Sequence, residues 1–302
     1  MSSITRNLTA VDSLNDYSCL ETILGTEASV QADLFVTVVI PFYRGLTFLD
    51  GTLASLTLQD YPQSLWELIV VEDGSLEDTA GLVNKYQSRL NIRRLRQQRL
   101  GYRLCTARNL GIQESNADVI VLVDFDCVCL PSHLSHHLRW FEPDFPVATF
   151  GLREFVALDD LRPDQIHEWL HSLPNRPRVN SISNRMQQID KRLPELQYLK
   201  HHPFPCNCFH GCNVAFRRSD ALVTGLFDTD FDGHVGYEDI EFAYRLTRLG
   251  RYIVYEPEAI VYHQENNVVT LANRMDGRLV NLHKMYSKIP GICEFRQSIG
   301  QA

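Results

Sequence analysis

The sequence predicts an α/β protein built on a mostly parallel central sheet flanked by helices. Continuous β-branched runs end in turn residues, helical apolar spacing separates them, and acids collect where the runs stop. The first run, FVTVVIP from Phe35, is closed by proline and reads as a strand buried on both faces. Leu46 to Leu58 then carries apolar residues at helical spacing until YPQ breaks the pattern, and LWELIVVEDGS supplies a second buried strand. A helix over about Leu76 to Leu90 leads to a short strand near Ile92, and the second half of RQQRLGYRLCTARNLGIQES is helical. ADVIVLVDFD is a third long buried strand that runs straight into two aspartates.

Such alternation implies right-handed crossovers, and ligands of these sheets sit beyond the carboxyl ends of the strands. One rim therefore gathers the loop after Ile40, the acids Glu72 and Asp73, and Asp124-Phe125-Asp126. After Pro131 come a histidine-rich helix with His133, His136, His137 and Trp140, then strand-like PVATFGLREFVAL. The stretch from about Leu158 to Pro205 reads as a variable insertion, the kind of loop that sets specificity on a fixed scaffold. GCNVAFRRSDAL, a helix opened by Glu238 and Asp239 with Phe242, Leu246 and Leu249 as its buried stripe, and strand-like RYIVYEPEAIVYHQE complete the body.

The chain has 302 residues, 44% of them hydrophobic, enough for a large core. Its 37 acids exceed its 29 lysines and arginines, and the net charge of −8 argues against a nucleic-acid partner. No segment approaches the roughly 18 apolar residues of a membrane span, and no secretory leader is visible, so the expected location is cytoplasmic. Eight cysteines are too dilute for a disulfide framework. Cys206, Cys208, His210 and Cys212 have C-x-C-x3-C spacing rather than the C-x2-C pairing of structural zinc, so packing is the better reading.

The D-x-D pair carries the chemistry. Strand alternation would put Asp124 and Asp126 on one side, where two desolvated anions repel unless a cation joins them. Mg²⁺ or Mn²⁺ answers that need and completes its shell with substrate phosphates, although helix-capping acids would show the same local pattern. There is no G-x-G-x-x-G after the first strand and no G-x-x-x-x-G-K-[ST], so dinucleotide and P-loop chemistry lose support. Metal and side chains must then hold the phosphate.

VTVVIPFYR, VVEDGS, GYRLCTARNLGI and VLVDFD, in this order, resemble the nucleotide-binding half of family 2 glycosyltransferases of the GT-A fold. GCNVAFRR, GYEDIEFAYRLTRLG and YHQE are similar to the acceptor half of chondroitin-polymerase-like and galactosyltransferase-like enzymes. The resemblance implies that Pro41, Phe42, Tyr43 and Asp73 contact the nucleoside, and that Arg108 and Asn109 lie beside the diphosphate. It implies that Asp124 faces ribose or donor sugar, that Asp126 and His263 ligate Mn²⁺ or Mg²⁺, and that Asp239, next to Glu238, is the catalytic base.

By the same resemblance the donor is a UDP-sugar, the acceptor a glycan, a small molecule or a peptide, and the displacement inverts the anomeric carbon. Five stretches follow: an arm (1–32), a nucleotide-sugar half (33–135), an insertion (136–205), an acceptor and metal-completing half (206–265) and a helical tail (266–302). Gly236-Tyr237 stands where the galactosyltransferase-like motif has tryptophan and glycine, and the Q-x-x-R-W motif of processive members is missing. The sequence therefore predicts transfer of one or a few sugars, with Tyr237 and Trp169 as candidate stacking residues. A sugar nucleotidyltransferase wants a glycine- and lysine-rich loop that PFYRG does not supply. A binding protein without turnover is the other alternative.

Overall fold

Three apolar runs become buried parallel strands of one sheet because each must bury both faces, and the polar, half-exposed run IRRLRQ pairs at their edge. The computed structural model describes residues 15–26, 34–142, 145–156, 162–172, 190, 192–264 and 271–301. Most of the 1–32 arm, much of the 158–205 insertion and residues 266–270 of the tail lie outside the described residues. The first half holds α1 (Ser18–Thr26), β1 (Val36–Phe42), α2 (Leu46–Leu56), β2 (Trp66–Asp73), α3 (Thr79–Tyr86), β3 (Ile92–Gln97), α4 (Leu104–Gln113) and β4 (Val119–Val123). There follow β5 (Cys127–Cys129), α5 (His133–Leu138), β6 (Val147–Val156), α6 (Ile166–Ser172), α7 (Leu193–Leu196), β7 (Asn213–Arg217) and α8 (Arg218–Thr224). The described chain closes with α9 (Glu238–Arg248), β8 (Tyr252–Gln264), α10 (Leu271–Lys288) and α11 (Ile292–Ser298).

The eight strands form a single sheet in the order β3-β2-β1-β4-β7-β6-β8-β5. β3, β2, β1 and β4 are parallel, with Val36 beside both Trp66 and Val119. β7 runs against β4 and β6, β8 runs parallel to β6, and the short β5 closes the far edge antiparallel to β8. Every residue of β1 and of β4 is buried. Each fully buried valine or isoleucine there contributes about 1.5–3 kcal/mol. The insertion region supplies β6, so part of it belongs to the central sheet.

Polar cross-ties fix the second half. His133 and His137 each point Nε2 at Asn213 Oδ1, at 2.8 and 2.9 Å, while Asn213 Nδ2 donates to the carbonyls of Leu152 and Ala259. Burial pulls His133 down to about 4 and His137 well below the usual range, so both rings are neutral and serve as donors in the core. This network binds α5 to β6, β7 and β8.

Several boundaries differ from the sequence pattern. α3 begins at Thr79 because the Asp78 side chain accepts from the Gly81 N–H at 2.9 Å, and Leu76 stays outside it, 88% exposed. On α9, Phe242, Ala243 and Leu246 are buried, but Leu249 is the half-buried C-cap and leaves the stripe. All eight cysteines are free thiols. The side chains of Cys206, Cys208, His210 and Cys212 do not converge on a shared metal position.

β6 bends at a register shift between Gly151 and Arg153, where the backbone approaches β8 closely. A Cβ on Gly151 would sit 1.8 Å from the Ala259 carbonyl oxygen. Gly151→Ala should therefore destabilise the protein by about 3 kcal/mol, read as a lowered urea midpoint. A midpoint equal to the parent's would contradict this packing.

Candidate functional site

The carboxyl ends of β1, β2 and β4 open onto a cleft of about 690 Å³. Pro41, Phe42, Tyr43, Asp73, Asp124 and Asp126 line it, together with Arg99, Tyr102 and Val235. Asp73 is held in place by Gln97 Nε2 at 2.7 Å and by the Arg103 N–H at 3.0 Å. The Arg99 guanidinium lies 5.1 Å over the Tyr43 ring, so a flat cationic and aromatic wall stands beside Asp73. Arg99 and Tyr102 were not singled out by the sequence. The polar run after β3 was their one signal.

The two aspartates of D-x-D do not lie on one side of a strand. β4 ends at Val123, residues 124–126 form a turn closed by the Cys127 N–H to the Asp124 carbonyl at 3.1 Å, and alternation no longer applies. Phe125 anchors the turn: its ring meets Phe42 edge-on at 5.6 Å and its carbonyl accepts from Thr52 Oγ1 at 2.8 Å. Asp124 faces Arg108 Nη2 at 3.4 Å, whereas Asp126 Oδ1 lies 3.5 Å from His263 Nε2. The Gln264 N–H donates to the Asp126 carbonyl at 2.8 Å, tying β8 to this turn. A carboxylate and an imidazole at this separation suit a divalent ion, although of the two only Asp126 lines the cleft.

Arg108 joins the halves. Its side chain is 2% exposed, its Nη1 donates to Glu238 Oε1 at 2.8 Å, and its guanidinium lies over the Phe227 ring at 5.2 Å. A Cβ on Gly211 would come within 2.6 Å of Arg108 Nη2, so only glycine lets that chain pass. The Gly211 N–H donates to Asp239 Oδ2 at 2.9 Å and the Ile240 N–H to Asp239 Oδ1 at 2.9 Å. One backbone donor from the turn before β7 and one from the start of α9 therefore hold a half-buried carboxylate.

The preceding Gly236 and Tyr237 have φ of 95° and 71°. Tyr237 is buried rather than presented to a ligand, with Arg278 and Arg296 over its ring at 5.2 and 5.5 Å. Its left-handed backbone is a strained turn that aims the first residues of α9. Trp169, also buried, packs edge-on against Tyr262 at 5.0 Å.

Asn109 departs from its expected place. Its amide donates to the Phe227 carbonyl at 2.7 Å and accepts from the Phe227 N–H at 2.8 Å, and it does not line the cleft. Arg108 and Asn109 are adjacent on α4, so a rotation of about 100° sends them apart. Arg108 is likewise absent from the cleft lining and acts through Asp124 and Glu238.

Charges in this buried group set one another. Burial opposes the Arg108 charge, but Glu238, Asp124 and Asp239 overcome it and raise its pKa above the usual value. Burial and then Asp239 push Glu238 up to about 7 against the pull of Arg108.

With strand order, cleft and acidic turn in place, the fold is that of the GT-A nucleotide-sugar transferases. Residues 37–221 match the family described as Glycosyl transferase family 2, and the chain belongs to that family. It is 30% identical over 284 residues to the chondroitin synthase of Escherichia coli, covering 88% of this chain and 40% of that protein. It is also 32% identical over 216 residues to a validoxylamine A glucosyltransferase of Streptomyces hygroscopicus, covering 70% of this chain and 51% of the relative. The chain thus spans about half or less of these relatives' length. Among solved structures it resembles the Pyrobaculum calidifontis mannosyltransferase PcManGT in complex with GDP-Man and Mn²⁺, with 18% identity, TM-score 0.59, and 91% and 71% of the two chains covered. Staphylococcus aureus TarS 1-349 in complex with UDP-GlcNAc aligns with 16% identity and TM-score 0.53, covering 78% of this chain and 60% of the other. Among the described residues no helix is long and apolar enough to cross a membrane.

Glu238, with its folded pKa above the unfolded carboxyl value, binds its proton more tightly in the folded state. Its contribution to stability is complete below about pH 4.5 and is lost as pH rises through about 7. In Glu238→Gln that decline should disappear, so the parent's denaturation midpoint falls relative to the variant's between pH 5 and pH 8. Parallel midpoints across that range would refute the raised pKa.

Proposed function

We propose that the protein is a divalent-metal-dependent, inverting glycosyltransferase that moves a sugar from a UDP-sugar to an acceptor hydroxyl. The observation that carries this reading is one buried cation, Arg108, joining the acidic turn of the cleft to the carboxylates that open α9. Asp73 and the Tyr43–Arg99 wall suit a nucleoside, and Asp124 suits the hydroxyls of ribose or donor sugar. Support for the nucleotide comes from a structural neighbour held with UDP-GlcNAc. Its counterpart held with GDP-Man keeps a guanine donor as an outcome that titration distinguishes.

Asp126 and His263 would hold Mn²⁺ or Mg²⁺, which when bound neutralises charge on the departing diphosphate. Asp239 takes the proton of the acceptor hydroxyl as it attacks from the face opposite the diphosphate, and a single displacement inverts the anomeric centre. The Gly211 and Ile240 N–H groups hold the Asp239 oxygens in one orientation, so little reorganisation accompanies proton transfer. Glu238 and Arg108 are positioning residues for that carboxylate. The acceptor is a glycan, a small molecule or a peptide.

Asp239→Asn should lower turnover by roughly 10²- to 10⁴-fold while UDP affinity survives, measured by UDP release from UDP-sugars and by calorimetry. Unchanged turnover would remove Asp239 from the role of base. Asp126→Asn or His263→Ala should weaken Mn²⁺-dependent UDP binding far more than it lowers the melting temperature. Parent-like Mn²⁺ affinity in both variants would reject the metal assignment.

A further inference from the structure

We propose that the thiol of Cys127 is a third protein ligand of the metal centre, making a carboxylate, imidazole and thiolate site that binds a zinc-class ion more tightly than Mn²⁺ or Mg²⁺. The inference rests on Asp126 and His263 holding the metal and extends that reading to the next residue of the chain. A carboxylate oxygen of Asp126, the Cys127 sulfur and a His263 ring nitrogen all lie within 4.8 Å of one another. The ladder explains this independently: Cys127 stands directly opposite His263 in the antiparallel β5–β8 pair, so both side chains rise from one face. Asp126 enters from the turn before β5, fixed by its carbonyl's bond to the Gln264 N–H.

The separations fit an ion. Ligands with bonds of about 2.0–2.3 Å to a tetrahedral centre stand roughly 3.3–3.8 Å apart. Asp126 Oδ1 and His263 Nε2 are already 3.5 Å apart, and the Cys127 sulfur lies within 4.8 Å of both side chains' ligand atoms. Three protein ligands are the number found in zinc sites of the catalytic kind, which take a non-protein fourth ligand, and of the three Asp126 lines the cleft. Mn²⁺ and Mg²⁺ prefer oxygen donors, whereas a thiolate favours zinc-class ions. On binding, Cys127 gives its proton to solvent and the sulfur lone pair to the ion, with no change of oxidation state. No disulfide holds the sulfur, but it is fully buried and meets the Cys212 thiol in a hydrogen bond, a contact that ligation would replace.

A second cluster is tied together by hydrogen bonds. Glu195, His202 and Cys208 also approach one another, but Glu195 Oε2 takes hydrogen bonds from His202 at 2.9 Å and Asn207 at 2.8 Å, and Oε1 one from Gln301 at 2.6 Å. Those donors occupy the carboxylate that a metal would need.

Cobalt(II) reports the sulfur directly. Titrating the nucleotide-free protein with Co²⁺ should produce a thiolate-to-cobalt charge-transfer band in the near ultraviolet that saturates at one equivalent and is abolished by Zn²⁺. In Cys127→Ser, Cys127→Ala and His263→Ala the band should vanish. Zinc affinity of the cysteine variants should fall by more than the roughly 10- to 100-fold that losing an outer-shell partner costs. A band that persists in the cysteine variants, or a parent protein that gives none, overturns the proposal. If those variants fail to fold, X-ray absorption of the parent loaded with one equivalent of zinc decides: a sulfur neighbour at about 2.3 Å supports it and a shell of nitrogen and oxygen alone overturns it. Mn²⁺-dependent UDP binding by the parent, measured alongside, separates failure of the thiolate ligand from failure of the donor-site reading.

Discussion

The site depends on one buried cation. Arg108 bonds Glu238 at 2.8 Å and faces Asp124 at 3.4 Å, and so connects the acidic turn after β4 to the start of α9. Burying a guanidinium costs several kcal/mol, and the cost is offset only where carboxylates meet it with good geometry. Losing either side would leave an uncompensated buried charge, worth about 3–5 kcal/mol. The halves of the molecule are thereby locked in register by the same contact that sets the charges between them. Gly211, with no room for a Cβ beside Arg108, and the left-handed Tyr237 are local conformations that this contact requires.

The buried parallel strands were legible because strands covered on both faces must be apolar throughout, which leaves runs such as VTVVIP and VIVLV. Position along the chain also brought Pro41, Phe42, Tyr43, Asp73, Asp124 and Asp126 to one cleft. Direction was less legible than position. Asp124 and Asp126 turn apart because a three-residue turn, pinned by Phe125, replaces strand geometry. Asn109 was read together with Arg108 from a motif, yet a helix sends neighbours to different faces, and its amide spans Phe227 instead. β5, only Cys127–Cys129, is too short to show any period, although it sets Cys127 opposite His263. Arg99 and Tyr102 sit in a polar segment without periodicity, so only the folded cleft reveals them.

The acidic and basic groups divide along the cleft in a manner that suits group transfer. One end of the cleft offers the Tyr43–Arg99 wall and a fixed Asp73. Asp126 and His263 meet at the turn after β4, and the far side of Arg108 offers Asp239 on two backbone donors. These groups sit on or just beyond the ends of different strands and helices, and the single sheet keeps them in fixed relation. Rigid placement of this kind lets binding energy orient the reacting groups rather than reorganise them.

The most direct test of the account is calorimetric titration of the protein with UDP, in the presence of Mn²⁺ and again with chelator, with GDP as the comparison. The account predicts saturable UDP binding with Mn²⁺ that chelator removes, and weaker binding of GDP. UDP binding that is indifferent to chelator, or no nucleoside diphosphate binding under any condition, would contradict the claim that this cleft holds a nucleotide-sugar through a metal.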